Sequence, residues 1–125
     1  MSGVTLDAGA LIAFDRNDRR VVAMLARAIA RDLAMTVPAG IVGQVWRDGA
    51  KQARLARLLG ADRVDVEPLD DARARAAGQL CGVTRTRDVI GAAVVLGAKE
   101  RGDVVLTSDV EDLRRLDPNA ALIRV

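Results

Sequence analysis

The chain has no histidine, no tyrosine, one cysteine, one phenylalanine and one tryptophan in 125 residues. Without imidazole it has no side chain that ordinarily titrates near neutral pH, and it lacks the commonest nitrogen ligand for metals. The lone Cys81 can close no internal disulfide and build no thiolate cluster. It lies in an Ala-rich helical pattern and reads as small core filler. Two aromatic rings, Phe14 and Trp46, are too few to stack a run of bases, so a nucleic-acid partner would have to be held by its phosphates. Lysine is scarce as well: Lys51 and Lys99 are the two lysines among 19 basic residues. The others are arginines, whose planar forks match phosphate oxygens. No apolar run is long enough to span a bilayer and no leader-like segment opens the chain, so a soluble cytoplasmic protein without membrane contact is expected. Chemistry is left to carboxylates, amides, hydroxyls, arginine or a hard cation.

Half of the residues are hydrophobic and the net charge is only +2. That is enough apolar material for a real core in one domain spanning 1–125, with no linker, repeat or low-complexity tract. Short β-branched runs at Val4–Leu6, Leu33–Val37, Arg63–Val66, Val104–Leu106 and Ala121–Val125 read as strands. The third is short and alternating, as at an edge. Between them, helical patterns cover Ala8–Phe14, Arg19–Arg31, Pro38–Leu59 with a break at Gly49, Leu69–Cys81 and Arg87–Arg101. Another helix follows Ser108. Alternation with short links predicts an α/β fold, a three-layer α/β/α sandwich around a mostly parallel sheet.

Acids recur at the ends of these elements. Asp7 follows the first strand directly. Asp109 and Asp112 follow Val104–Leu106, after Thr107 and Ser108. Asp88 opens the most apolar helix, with Thr86 as the expected cap and Arg85 and Arg87 beside it. Each has an ordinary explanation as a helix cap or a partner of the helix dipole, and Ser108 with Glu111 fits a capping box. Caps need not cluster in space, however. Ligands of open parallel sheets bind beyond the carboxyl ends of the strands, and three element ends that each carry Asp can meet there. Carboxylates gathered at one edge raise one another's pKa. A divalent cation relieves that cost, and an all-oxygen donor set selects Mg2+ or Mn2+.

Three motifs together resemble a known family: Val4-Thr5-Leu6-Asp7-Ala8-Gly9-Ala10-Leu11, Arg87-Asp88-Val89-Ile90-Gly91-Ala92-Ala93, and Val105-Leu106-Thr107-Ser108-Asp109-Val110-Glu111-Asp112-Leu113. In order and spacing the chain is similar to PIN-domain ribonucleases, and specifically to VapC-type toxins of bacterial toxin–antitoxin pairs. The resemblance implies metal-dependent cleavage of RNA with Mg2+ or Mn2+ held by Asp7, Asp88 and Asp109. It also implies Asp112, Thr107 and Ser108 in support, a homodimer, and inhibition by a cognate antitoxin. Arg85, Arg87 and Arg16 are the basic residues expected to touch RNA phosphates. The chain departs from the pattern once. The family has Glu in the helix after the second strand, and here Gln44 stands in that place. An amide oxygen can ligate but cannot take a proton. Asp48, one helical turn on, is the nearest substitute acid.

Gln44 keeps an alternative open, a PIN fold with weakened or lost catalysis that serves as a binding module. A third class, aspartate-based phosphatases or phospho-acceptor receivers, is disfavoured. Gly9 stands where the phosphatase needs a second Asp, and Lys99 lies inside a helix.

Overall fold

The computed structural model describes residues 3–125. Among them, five strands alternate with seven helices. The strands are β1 (Gly3–Leu6), β2 (Ala34–Pro38), β3 (Val64–Glu67), β4 (Val104–Thr107) and β5 (Leu122–Arg124). The helices are α1 (Ala8–Asp15), α2 (Arg19–Ala30), α3 (Ala39–Val45), α4 (Ala53–Leu59), α5 (Asp71–Thr84), α6 (Val89–Arg101) and α7 (Val110–Leu116). One sheet runs β3-β2-β1-β4-β5, and every neighbouring pair is parallel. The sheet is therefore wholly parallel, and β3 does lie at an edge.

The chain steps outward from β1 to β3, then returns to the other side of β1 for β4 and β5. Right-handed crossovers place the two halves' helices on opposite faces. Accordingly α1 packs against α2, α3 and α4, while α5, α6 and α7 pack on one another. This is the expected three-layer sandwich. The central strands are buried on both faces, with Leu6, Met35, Val37 and Val105 in the core, which is why they read as continuous apolar runs. In α2 only Val21, Leu25 and Ala28 are buried, matching its amphipathic spacing. In α6 the run from Gly91 to Val95 is buried entirely.

Four local expectations need correction. Helix α5 does not stop at Cys81. It runs to Thr84 and is ended by Arg85 in the left-handed conformation, at φ 59°. Helix α6 is capped by Asp88 and not by Thr86, because the Asp88 carboxylate reaches the N–H of Gly91 at 2.8 Å. The Ser108–Glu111 capping box does not form, since Asp109 occupies the N-cap position of α7. Finally, Gln44 and Asp48 share no helical face. Helix α3 ends at Val45, and Trp46 is extended at ψ 128°. Gln52 fixes that break. Its Oε1 accepts from the N–H groups of Arg47 and Asp48 at 2.8 and 2.9 Å, and its Nε2 donates to the Val45 carbonyl at 2.8 Å. Asp48 in turn accepts from the Ala50 N–H.

A buried polar cluster ties the two halves of the sheet together. Asp103 accepts from Thr5 Oγ1 at 2.8 Å and from Arg101 Nε at 2.9 Å. Arg101 Nη1 reaches Glu67 Oε2 at 2.5 Å. The cluster thus joins β1, the end of β3, the end of α6 and the approach to β4. Its Asp103 side chain is only 3% exposed. Removing Asp103 leaves Thr5 without its acceptor and Arg101 with only Glu67 and the Thr5 hydroxyl, which costs more than an exposed pair contributes. Asp103→Ala should lower stability in urea unfolding by about 2–4 kcal/mol. Arg75→Ala, which breaks the fully exposed pair with Asp71, should cost under about 0.5 kcal/mol.

Candidate active site

The strand order reverses between β1 and β4, and the carboxyl ends of these two strands form the crevice where open α/β sheets place their ligands. Asp7 leaves β1 there. Its N–H continues the ladder to the Leu106 carbonyl at 3.0 Å, so its backbone position is set by sheet register. Its side chain is turned inward and is 5% exposed. Thr107, the last residue of β4 and fully buried, donates its hydroxyl to Asp7 Oδ2 at 2.6 Å. The same hydroxyl accepts from the Asp109 N–H at 2.8 Å. One oxygen therefore fixes both the buried carboxylate and the turn that carries the second acid.

Burial raises the pKa of Asp7, and the charges of Asp109 and Asp88 push it up further. The Thr107 hydroxyl and the Ala8 N–H oppose this only in part. Asp109 and Asp88, two of the acids named from the motifs, are thus near enough to act on the charge of Asp7. Asp109 caps α7 without a side-chain hydrogen bond to the helix. Asp88 is preset by its bond to Gly91. A Cβ at residue 91 would lie 2.7 Å from the Asp88 Cγ, so only glycine leaves room for this carboxylate. A Cβ at residue 9 would lie 2.7 Å from the Ser108 Cβ. Gly9 thereby lets the first turn of α1 close on the β4–α7 turn.

The other predicted residues lie around this centre in different ways. Ser108 and Asp112 are exposed in the β4–α7 turn and the first turn of α7. Gln44 is exposed on α3, whose first turn abuts α6 through Gly40 and Ile90. Asp48 is held in the turn after α3. Arg85, Arg87 and Arg16 are exposed, and none forms an ion pair among the described residues. Sequence reasoning missed the spatial roles of Gly9 and Gly91, which have no side chain to advertise them. It also missed Arg124, whose register beside Thr107 depends on which strand lies next to β4.

In kind, the donor set suits a hard divalent cation, because it offers carboxylate and hydroxyl oxygens. It is not a closed cage. Among the described residues, no three acidic side chains converge tightly enough to ligate one ion as they stand. Mg2+ and Mn2+ differ from cage-bound ions in keeping several waters and taking one or two carboxylates together with substrate phosphate.

The raised pKa of Asp7 sets the sign of a test. The folded state holds the proton more tightly than the unfolded chain, whose carboxyl titrates near 3.8. The stability linked to this group is therefore greatest below that pH and is lost as pH rises through the folded pKa. Asp7→Asn removes the ionised form while keeping an oxygen for Thr107. At pH 7 without divalent ions it should melt higher than the unaltered chain, by roughly 4 °C for each kcal/mol relieved. The difference should vanish in acid. A lower melting temperature at pH 7 would contradict the burial argument.

No family model and no curated protein matches this sequence. Solved structures do match it. A chain of VapBC2 from Rickettsia felis, bound to a promoter DNA fragment, superposes with a TM-score of 0.70 at 12% identity over 98% of each chain. A chain of FitAB bound to an IR36 DNA fragment gives 0.65 at 19% identity, over 97% of this chain and 94% of that one. A chain of FitAcB from Neisseria gonorrhoeae gives 0.65 at 20% identity over 96% of each. At these identities the likeness is one of fold, and it agrees with the motifs in sequence order: this chain has the PIN-like α/β fold.

Proposed function

We propose that the chain is a divalent-metal-dependent ribonuclease and acts as the toxin of a toxin–antitoxin pair in the cytoplasm. The observation that carries this reading is Asp7. A carboxylate is buried at the switch point of the sheet, and that burial, with two further carboxylates, pushes its pKa upward. Groups strained in this way mark functional sites more often than structural ones. Motif order, the PIN-like fold and the absence of histidine support the same chemistry.

In this reading Asp7, Asp88 and Asp109 would together hold Mg2+ or Mn2+, one or two of them as direct ligands and the rest through metal-bound water, and Asp112 lies at the rim. When bound, such an ion supplies Lewis acidity for phosphodiester hydrolysis. The chain's own residues set the geometry. Thr107 orients Asp7 and the Asp109 backbone together. Gly91 lets Asp88 lie back against α6. Ser108, against Gly9, keeps the β4–α7 turn close to α1. Arg85, Arg87 and Arg16 contact phosphates and position the strand without reading bases. Gln44 orients a water or the substrate through its amide oxygen but takes no proton.

Two partners follow from the same reading. Two of the structures matched in fold carry names that pair two components, FitAB and VapBC2, and a cognate antitoxin is the corresponding partner here. A second copy is the other. Trp46 is 38% exposed and Ile12 40% exposed, so neither is consumed by the chain's own core. Residues 38–59 are the proposed meeting surface.

Cleavage of a mixed RNA pool, followed on gels across a metal titration, tests the proposal. Activity should require millimolar metal, favour Mn2+ over Mg2+ and vanish with chelator. Asp7→Asn and Asp88→Asn should each abolish it. Gln44→Glu restores a negative charge beside the ion and should lower the metal concentration needed by about 10-fold or more. Cleavage that survives chelation, or an Asp7→Asn protein that still cuts, would overturn the reading.

A further inference from the structure

One cation at the carboxyl edge has no part in the mechanism above. Arg124 lies in β5, the outermost strand on that side, in register with Thr107. Paired residues of neighbouring strands project to the same face, with the strands about 4.8 Å apart. Arg124 therefore stands beside Thr107, on the face that carries α7. Its guanidinium donates to Glu111 Oε1 at 2.5 Å. Glu111 lies in the first turn of α7, two residues beyond Asp109. The Arg124 side chain is 55% exposed and that of Glu111 76% exposed. An ion pair so open to water contributes little to stability, so the fold does not depend on a cation there. The pair does hold an arginine fork, aimed by a strand of fixed register, at the rim of the crevice that contains Asp7 and Asp109.

Resting on the ribonuclease reading, we propose that Arg124 is a substrate-binding residue. It contacts a phosphate of RNA lying across the β4–β5 end of the crevice, and Glu111 is the internal carboxylate that it exchanges for that phosphate. Both acceptors offer oxygens to the same fork, so the exchange needs only side-chain movement. Glu111 keeps the guanidinium in place when no substrate is present. Glu111 holds the fork through its carboxylate, and like charge makes it oppose the incoming phosphate. Arg124 thus draws the strand in while Glu111 limits its affinity.

A purely structural latch between β5 and α7 would make the two residues equivalent, whereas the exchange makes them opposite. Binding of a short fluorescein-labelled single-stranded RNA of mixed sequence to the Asp7→Asn protein, read by anisotropy over a potassium chloride series at fixed magnesium, separates these roles. Adding Arg124→Gln should weaken binding and reduce the slope of log affinity against log salt by about 0.7, the loss of one phosphate contact on a single strand. Adding Glu111→Gln should strengthen binding. Arg124→Lys should keep the slope, and melting temperatures should stay within about 2 °C across the set. If Glu111→Gln weakens binding as Arg124→Gln does, or if Arg124→Gln leaves the slope unchanged, the pair is only a latch and the proposal fails. If the Asp7→Asn parent itself binds no RNA, the ribonuclease reading fails and the proposal falls with it.

Discussion

The burial of one carboxylate governs this molecule. Asp7 enters the gap between β1 and β4 with a single neutral hydroxyl and one backbone N–H as compensation, while two neighbouring acids repel it. A fold built for stability alone would place an apolar residue there, since a buried carboxylate is stabilising only when fully paired. Much of the local architecture is what makes the arrangement tolerable. The β1–β4 ladder fixes the Asp7 backbone, and Thr107 spends both its donor and an acceptor position at this spot. The stability that pays for the arrangement comes from elsewhere in the sheet, including the Thr5–Asp103–Arg101–Glu67 cluster on the α6 side.

The arginines divide by role along the same lines. Arg101 and Arg73 are part-buried and fully engaged with Glu67, Asp103 and Glu100. Their charges are spent on joining α5 and α6 to the sheet. Arg85, Arg87 and Arg16 are exposed and unpaired among the described residues, and Arg124 holds only a solvent-open partner. A count of arginines cannot separate these groups. The separation arises because parallel strands bring distant chain segments, such as Thr5 and Asp103, into direct contact.

The fold was largely legible because its signals are local. Short β-branched apolar runs marked five strands in the right places, and Ala- and Gly-rich spacing marked the buried helix α6. Boundaries failed where a side chain competed for backbone groups. Gln52 ended α3 early, Asp88 displaced Thr86 as cap, and Arg85 took a left-handed conformation that few sequence patterns would assign to arginine. The acids of the candidate site were visible because each follows a strand or opens a helix. What binds them together was not. The Thr107 hydroxyl bridges Asp7 and Asp109 across 100 residues of sequence for the first bond, and the pairing of Arg124 with Thr107 depends on the order of strands in the sheet. Spacing along the chain carries neither fact.

Gly91 has a consequence for how such a protein can change over generations. Gly91 stands in the first turn of α6, buried where a methyl group would displace the Asp88 carboxylate. That carboxylate also caps the helix through the Gly91 N–H, and loss of an N-cap costs about 1 kcal/mol. Replacement by alanine would thus loosen the start of α6 and shift an acid of the crevice together. Selection for a stable fold and selection for the placement of Asp88 pull in the same direction at this position. Where laboratory passage relaxes the demand for activity, Gly91 should persist longer than an exposed acid such as Asp112.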